Sequence, residues 1–155
     1  MTAPAAGQKA PEFSIAGDTG PISLAGFAGR KLVLYFYPKD DTPGCTTEGK
    51  DFSAMSAAFA AADTDVVGVS RDSIAAHAKF RAKHALTVGL GADAEGAVTE
   101  AYGVWVEKSM YGKTYMGIER ATFLIDRDGS IARVWRKVRV PGHAAEVLAA
   151  AQALG

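Results

Sequence analysis

Leu32-Val33-Leu34-Tyr35-Phe36-Tyr37-Pro38 is an unbroken apolar run halted by a proline. A run with no polar alternation suits a central strand covered on both faces, and a proline, which has no N–H for the ladder, marks its end. Beyond it, Pro38 to Gly44 reads as a loop. Phe52, Met55 and Phe59 then recur at offsets of three and four, the pattern of a helix packed by one face, and Cys45 falls near that helix's N-terminus. Asp65 to Ser70 reads as a second buried strand, after which Asp72 or Ser73 can cap a helix carrying Ile74, His77, Phe80 and Arg81. Strand, helix, strand, helix implies a parallel βαβ core.

Toward the C-terminus, Ala121 to Ile125 and Ile131 to Trp135 flank the turn signal Asp126-Arg127-Asp128-Gly129, which predicts a β-hairpin of antiparallel strands. Pro141-Gly142 closes that region, and the alanine-rich stretch from His143 to Leu154 suits a final helix. On the N-terminal side, Phe13 and Ile15, the turn Asp18-Thr19-Gly20, and Ile22 and Leu24 predict a short hairpin expected to form an outer flap. Residues 1–10 are small and polar and are expected to lie loosely as a flexible N-terminus, leaving 11–155 as a single domain. The order is that of an α/β, thioredoxin-like fold: a central mixed sheet flanked by helices, with additions at the front and between the second helix and the C-terminal hairpin. Fold alone does not give function.

Composition narrows the classes. The 155 residues carry 17 basic and 17 acidic side chains and are 48% hydrophobic, enough for one sizeable core and without a global field to hold nucleic acid or an anionic membrane surface. The first thirty residues lack a basic start followed by an apolar run, and no stretch approaches the roughly 20 apolar residues that cross a bilayer. The expectation is a cytoplasmic, soluble protein. One cysteine cannot form an internal disulfide, so Cys45 is a buried filler, a metal ligand without cysteine partners, or a reactive thiol.

Unpaired N–H groups and the macrodipole at a helix N-terminus favour an anion, so a cysteine there is favoured as the nucleophilic thiolate. Fast chemistry further requires donors that converge on the sulfur and on the atom that departs. Thr42, three residues before Cys45, can offer its hydroxyl there, and Pro38 and Pro43 stiffen the loop. A permanent cation would steady both charges, and Arg120, just before a core strand, is the candidate.

Pro38-x-x-x-Thr42-x-x-Cys45 resembles the active-site motif of the peroxiredoxins, and Thr-Pro-Gly-Cys-Thr-x-Glu resembles their bacterioferritin comigratory protein (PrxQ) branch. The resemblance continues through Gly103-Val104-Trp105, Glu107-Lys108, Gly112-Lys113-Thr114-Tyr115 and Gly117-Ile118-x-Arg120-x-Thr122-Phe123-Leu124-Ile125-Asp126, covering nearly the whole chain. It implies a thiol-dependent peroxidase acting on hydrogen peroxide and small organic hydroperoxides. Cys45 is then the peroxidatic cysteine, Thr42 and Arg120 complete the site, Pro38 shields the sulfur, and Glu48 orients nearby polar groups. Many members of this branch carry a resolving cysteine five residues after the peroxidatic one, where this chain has Lys50. The resemblance therefore implies a one-cysteine cycle whose sulfenic acid is recycled by an external thiol: thioredoxin, glutaredoxin or a low-molecular-weight thiol. No metal or organic cofactor is expected, and the branch suggests a monomer.

The missing resolving cysteine also leaves open a redox-sensing or disulfide-relay protein that uses Cys45 without efficient turnover. A general disulfide oxidoreductase on the same fold ranks last, since such proteins rely on a C-x-x-C pair. His77, His84 and His143 are read as surface or partly packed residues, and Arg133, Arg136, Lys137 and Arg139 as a solvated face. Trp105, Tyr111 and Tyr115 are read as cover for the core more than as shapers of the substrate's approach.

Overall fold

A computed structural model describes residues 3–155. In chain order the elements are β1 (Ser14–Gly17), β2 (Ile22–Ser23), a 3-10 turn (Ala25–Phe27), β3 (Lys31–Phe36), α1 (Pro43–Ala54), α2 (Ser56–Ala61), β4 (Thr64–Ser70), α3 (Ile74–His84), β5 (Gly89–Ala92), α4 (Ala97–Ala101), β6 (Trp105–Met110), β7 (Lys113–Ile118), β8 (Ala121–Ile125), β9 (Ile131–Trp135) and α5 (His143–Leu154). Seven strands form one mixed sheet in the order β2-β1-β5-β4-β3-β8-β9, while β6 and β7 make a separate hairpin. β3 pairs parallel with β4 and antiparallel with β8, so the first apolar run of the sequence is central. This is the expected thioredoxin-like arrangement.

Every residue of β3 is buried, and the pleat explains how an unbroken apolar run is used. Leu32, Leu34 and Phe36 face one core with Val67, Val69, Tyr102, Phe123 and Ile125. Val33 and Tyr35, with Tyr37 just beyond the strand, face the other, with Phe52, Phe59, Phe80, Leu90, Leu124 and Val147. Alternate side chains leave a strand on opposite faces, so a strand covered twice has no polar position to spare. The exception is Lys31 at its start, whose buried Nζ donates to the carbonyl of Ala151 at 2.7 Å near the end of α5. Gly68 on β4 is required by this packing, since a Cβ there would lie 2.6 Å from the Tyr35 ring.

The helix expected after the loop is broken into two. Met55 leaves the helical basin (φ −100°, ψ 9°) and its N–H closes a tight bond to Phe52 O at 3.1 Å, so α1 ends and α2 carries Phe59 back toward the sheet. Ser73, and not Asp72, caps α3, with Ala76 N donating to its Oγ at 3.1 Å. β5 and α4 fall within the expected addition and carried no strand signal, because Gly89-Leu90-Gly91-Ala92 offers a single large apolar side chain. The N-terminal hairpin forms, but it is no outer flap: β1 pairs antiparallel with β5 and extends the sheet.

The expectation of a loose stretch over 1–10 needs correcting in its second half; residues 1–2 lie outside the described residues. Gly7 N donates to Ile131 O, Ile131 N to Gln8 O and Ala10 N to Gly129 O, and Ala10 is buried. Backbone pairing with the start of β9 needs no apolar side chain, which is why composition could not announce it. His77 and His143 also depart from the sequence reading, being 0% and 5% exposed. Each is buried because a ring nitrogen finds a polar partner: Asp40 for His77, and Thr122 Oγ1 at 2.8 Å for His143. Among the described residues no helix is long and apolar enough to cross a membrane.

Candidate active site

β3 delivers the chain to Pro38, and the loop from Pro38 to Thr42 turns it into α1. Asp41 sits in the left-handed region at φ 61°, and its carboxylate is held by Lys83 Nζ at 2.7 Å and His84 Nε2 at 2.8 Å, both at the end of α3. Thr42 is the N-cap residue of α1, with extended backbone (φ −91°, ψ 155°), and Pro43 occupies the first turn, where its missing N–H is no loss. Cys45 follows within that first turn. Its Sγ is thus placed where the unpaired N–H groups of the helix end favour negative charge.

Arg120 lies between β7 and β8. Its Nη2 donates to Cys45 Sγ at 3.4 Å and its Nη1 to Glu48 Oε1 at 2.7 Å, so one guanidinium bridges the thiol and the carboxylate one helical turn further on. Gly44 makes room for it: a Cβ at that position would come within 3.1 Å of Nη2. The Arg120 backbone is tied as well, its carbonyl accepting from Val138 N at 3.0 Å. Burial works against its charge, but Glu48 and Cys45 outweigh burial and raise its pKa. Cys45 and Glu48 are 2% and 1% exposed. In so buried a site a fixed cation acts strongly on neighbouring charge.

The four residues singled out from the sequence are brought together to different degrees. Cys45 and Arg120 are in direct contact. Thr42 heads the same helix, but its hydroxyl donates to Lys39 O at 2.8 Å and not to the sulfur. With its hydrogen so committed, the Thr42 oxygen offers lone pairs to an incoming proton. Pro38, half-buried, opens the loop and makes no hydrogen bond to Cys45. Glu48 proves to be part of the constellation, and its spacing was the available signal: residues three apart on a helix share a face. Gly44 carried no signal, because its need arises only from a side chain 76 positions away in sequence.

Glu48 Oε2 is buried and finds no partner among the described residues. Burial pushes the pKa of Glu48 up to about 7, with Arg120 opposing. An acid with a raised native pKa holds its proton in the folded state where the unfolded chain has lost it. Its contribution to stability is therefore present below its ordinary pKa of 4.5 and is lost as pH rises through about 7. Glu48→Gln, which cannot titrate, is expected to reduce the fall in unfolding free energy between about pH 5 and about pH 8. Urea titrations of both proteins check this, and equal falls would contradict it.

Residues 6–134 match the model of the AhpC/TSA family. The chain is 50% identical over 143 residues to the peroxiredoxin Bcp of Bacillus subtilis, covering 92% of this chain and 91% of that one. It is equally 50% identical to a putative peroxiredoxin bcp of Coxiella burnetii, over 92% and 95% of the two chains. Among solved structures, the bacterioferritin comigratory protein of Xanthomonas campestris, studied for alkyl peroxide reduction in trapped intermediate and ligand complexes, superposes with a TM-score of 0.90 at 44% identity, over 96% of this chain and 98% of that one. A cysteine-to-serine mutant of Xylella fastidiosa PrxQ superposes with a TM-score of 0.92 at 37% identity, over 99% and 98%. Matched over its fold and most of its length, the chain belongs to the AhpC/TSA family, as a one-cysteine relative of the Bcp/PrxQ peroxiredoxins.

Proposed function

We propose that the protein is a thiol-dependent peroxidase that reduces hydrogen peroxide and small organic hydroperoxides at Cys45. The observation that carries this reading is the Arg120 guanidinium donating to Cys45 Sγ while anchored by Glu48. The thiolate attacks the terminal peroxide oxygen and the O–O bond breaks. The sulfur leaves the step as sulfenic acid, and the departing oxygen takes a proton and leaves as water or alcohol. Arg120 steadies the charge on sulfur and on the departing oxygen. Thr42 accepts the peroxide's hydrogen through its free lone pairs, and Pro38 shields the sulfur from bulk water.

Lys50 stands where many relatives in this branch carry a second cysteine, and the chain has no other. An external thiol then attacks the sulfenic sulfur, water leaves, and a second thiol resolves the mixed disulfide, so that two electrons enter in all. That reductant is thioredoxin, glutaredoxin or a low-molecular-weight thiol, and the reducing cytoplasm is the compartment that supplies it. Cys45, Arg120 and Glu48 meet within one chain, so a monomer suffices for this chemistry.

Reduced protein mixed with one equivalent of hydrogen peroxide in stopped flow is expected to consume it rapidly and to yield a trappable sulfenic acid on Cys45. With excess peroxide and no thiol, the intact mass should gain a second oxygen, because no internal cysteine intercepts the sulfenic acid. Consumption no faster than that of a free thiol would favour the sensor or relay reading.

A further inference from the structure

Beneath the loop that leads to Cys45 lies a buried polar cluster that no step above uses. His77 on α3 is fully buried, with Nδ1 2.6 Å from Asp40 Oδ2 and Nε2 2.9 Å from the carbonyl of Gly91 on β5. A carboxylate and a carbonyl both only accept, so each ring nitrogen carries a hydrogen, and an imidazole with two N–H groups is the cation. The groups that face it come from every element packed around it. Tyr37, following β3, donates its hydroxyl to Asp40 Oδ1 at 2.5 Å and lies 3.5 Å from Nδ1. Asp72, following β4, accepts from Asp40 N at 2.9 Å and from Ser70 Oγ at 2.6 Å. Burial lowers the pKa of His77, and the hydrogen bond and charge of Asp40 outweigh it, for a net rise.

Asp40 sits midway between Pro38 and Thr42. With Asp41 held by Lys83 and His84, α3 grips two consecutive residues of this loop, one buried and one exposed. We propose that His77 is a positioning residue for the peroxide reaction: as a buried imidazolium it holds Asp40, and through it the Pro38–Thr42 loop, in the conformation that sets Thr42 at the head of α1. This role rests on the reading of Cys45 as the peroxide-reacting thiol. Deprotonation of His77, as pH rises through its raised pKa, leaves one hydrogen for two acceptors, so the donor to Asp40 is lost wherever that hydrogen stays on Nε2 for Gly91, and the loop loosens.

The test compares two rates in each protein: oxidation by hydrogen peroxide and alkylation by iodoacetamide, which needs the thiolate but not the loop's grip on a peroxide. His77→Gln, whose amide cannot reach Asp40 as Nδ1 does, is expected to slow oxidation about 10-fold or more while leaving alkylation unchanged. His77→Asn, whose amide nitrogen falls near the Nδ1 position, should keep most of the oxidation rate. The ratio of oxidation to alkylation should fall more steeply with rising pH in the wild type than in His77→Asn, in which only Glu48 still titrates beside the site. Asp40→Asn, of the same shape, should behave like His77→Gln and decides the matter if that variant does not fold. Ratios unchanged in His77→Gln and Asp40→Asn, or equally lowered in His77→Asn, overturn the role. A wild type no faster than a free thiol toward peroxide sinks the peroxidase reading and the positioning role with it.

Discussion

Cys45→Ser is expected to consume no peroxide above the buffer rate while keeping its fold. A hydroxyl becomes a useful nucleophile only beside a base that takes its proton. The side chain bonded to Cys45 is Arg120, a permanent cation with no acceptor, and the nearby carboxylate of Glu48 is itself turned toward that guanidinium. Serine at this position therefore has no base to take its proton, and it also lacks the soft sulfur that accepts an oxygen atom. The substitution is nearly isosteric in a buried position, so far-ultraviolet circular dichroism should be unchanged. Peroxide consumption surviving in Cys45→Ser would place the chemistry elsewhere.

Arg120→Ala is expected to slow sulfenic acid formation by about 10²- to 10³-fold, the usual loss when a preorganised charge-stabilising donor is removed from a buried site. The loss acts twice, since the sulfur and the departing oxygen are both left without their cation. Glu48, deprived of the one group that holds its pKa down, should remain protonated to still higher pH. Arg120→Lys keeps the charge but cannot reach Cys45 and Glu48 with two nitrogens of one planar fork, so its rate should fall between alanine and wild type. Stopped-flow oxidation of the three proteins checks the order. An alanine variant within about threefold of wild type would remove Arg120 from the chemistry.

Signals that act over a few residues are legible in the amino-acid sequence, and those set by distant neighbours are not. The run Leu32 to Tyr37 could be read as a central strand because its lack of alternation is itself the mark of burial on two faces, and β3 is buried throughout. The hairpin around Asp126 to Gly129 and the helix from His143 to Leu154 were legible for the same reason, as turn chemistry and composition act over a few residues. β5 was not, since a strand with one large apolar side chain is held by its neighbours' backbones and not by its own pattern. The residues 7–10 that pair with the start of β9 were missed on the same grounds.

For the site, Cys45 near a helix N-terminus, Thr42 on the loop before it and Glu48 one turn later follow from spacing along one segment. The amino-acid sequence by itself thus determined the fold class, the position of the thiol on it and the absence of any internal disulfide partner. Only the tertiary structure decided that Arg120 reaches both Cys45 and Glu48, that Gly44 is small to admit it, and that His77 is a buried partner of Asp40 and not a surface residue. Capping and periodicity are properties of a single turn or strand. A guanidinium's partners, and the burial of a charge, depend on which distant strands the sheet sets side by side.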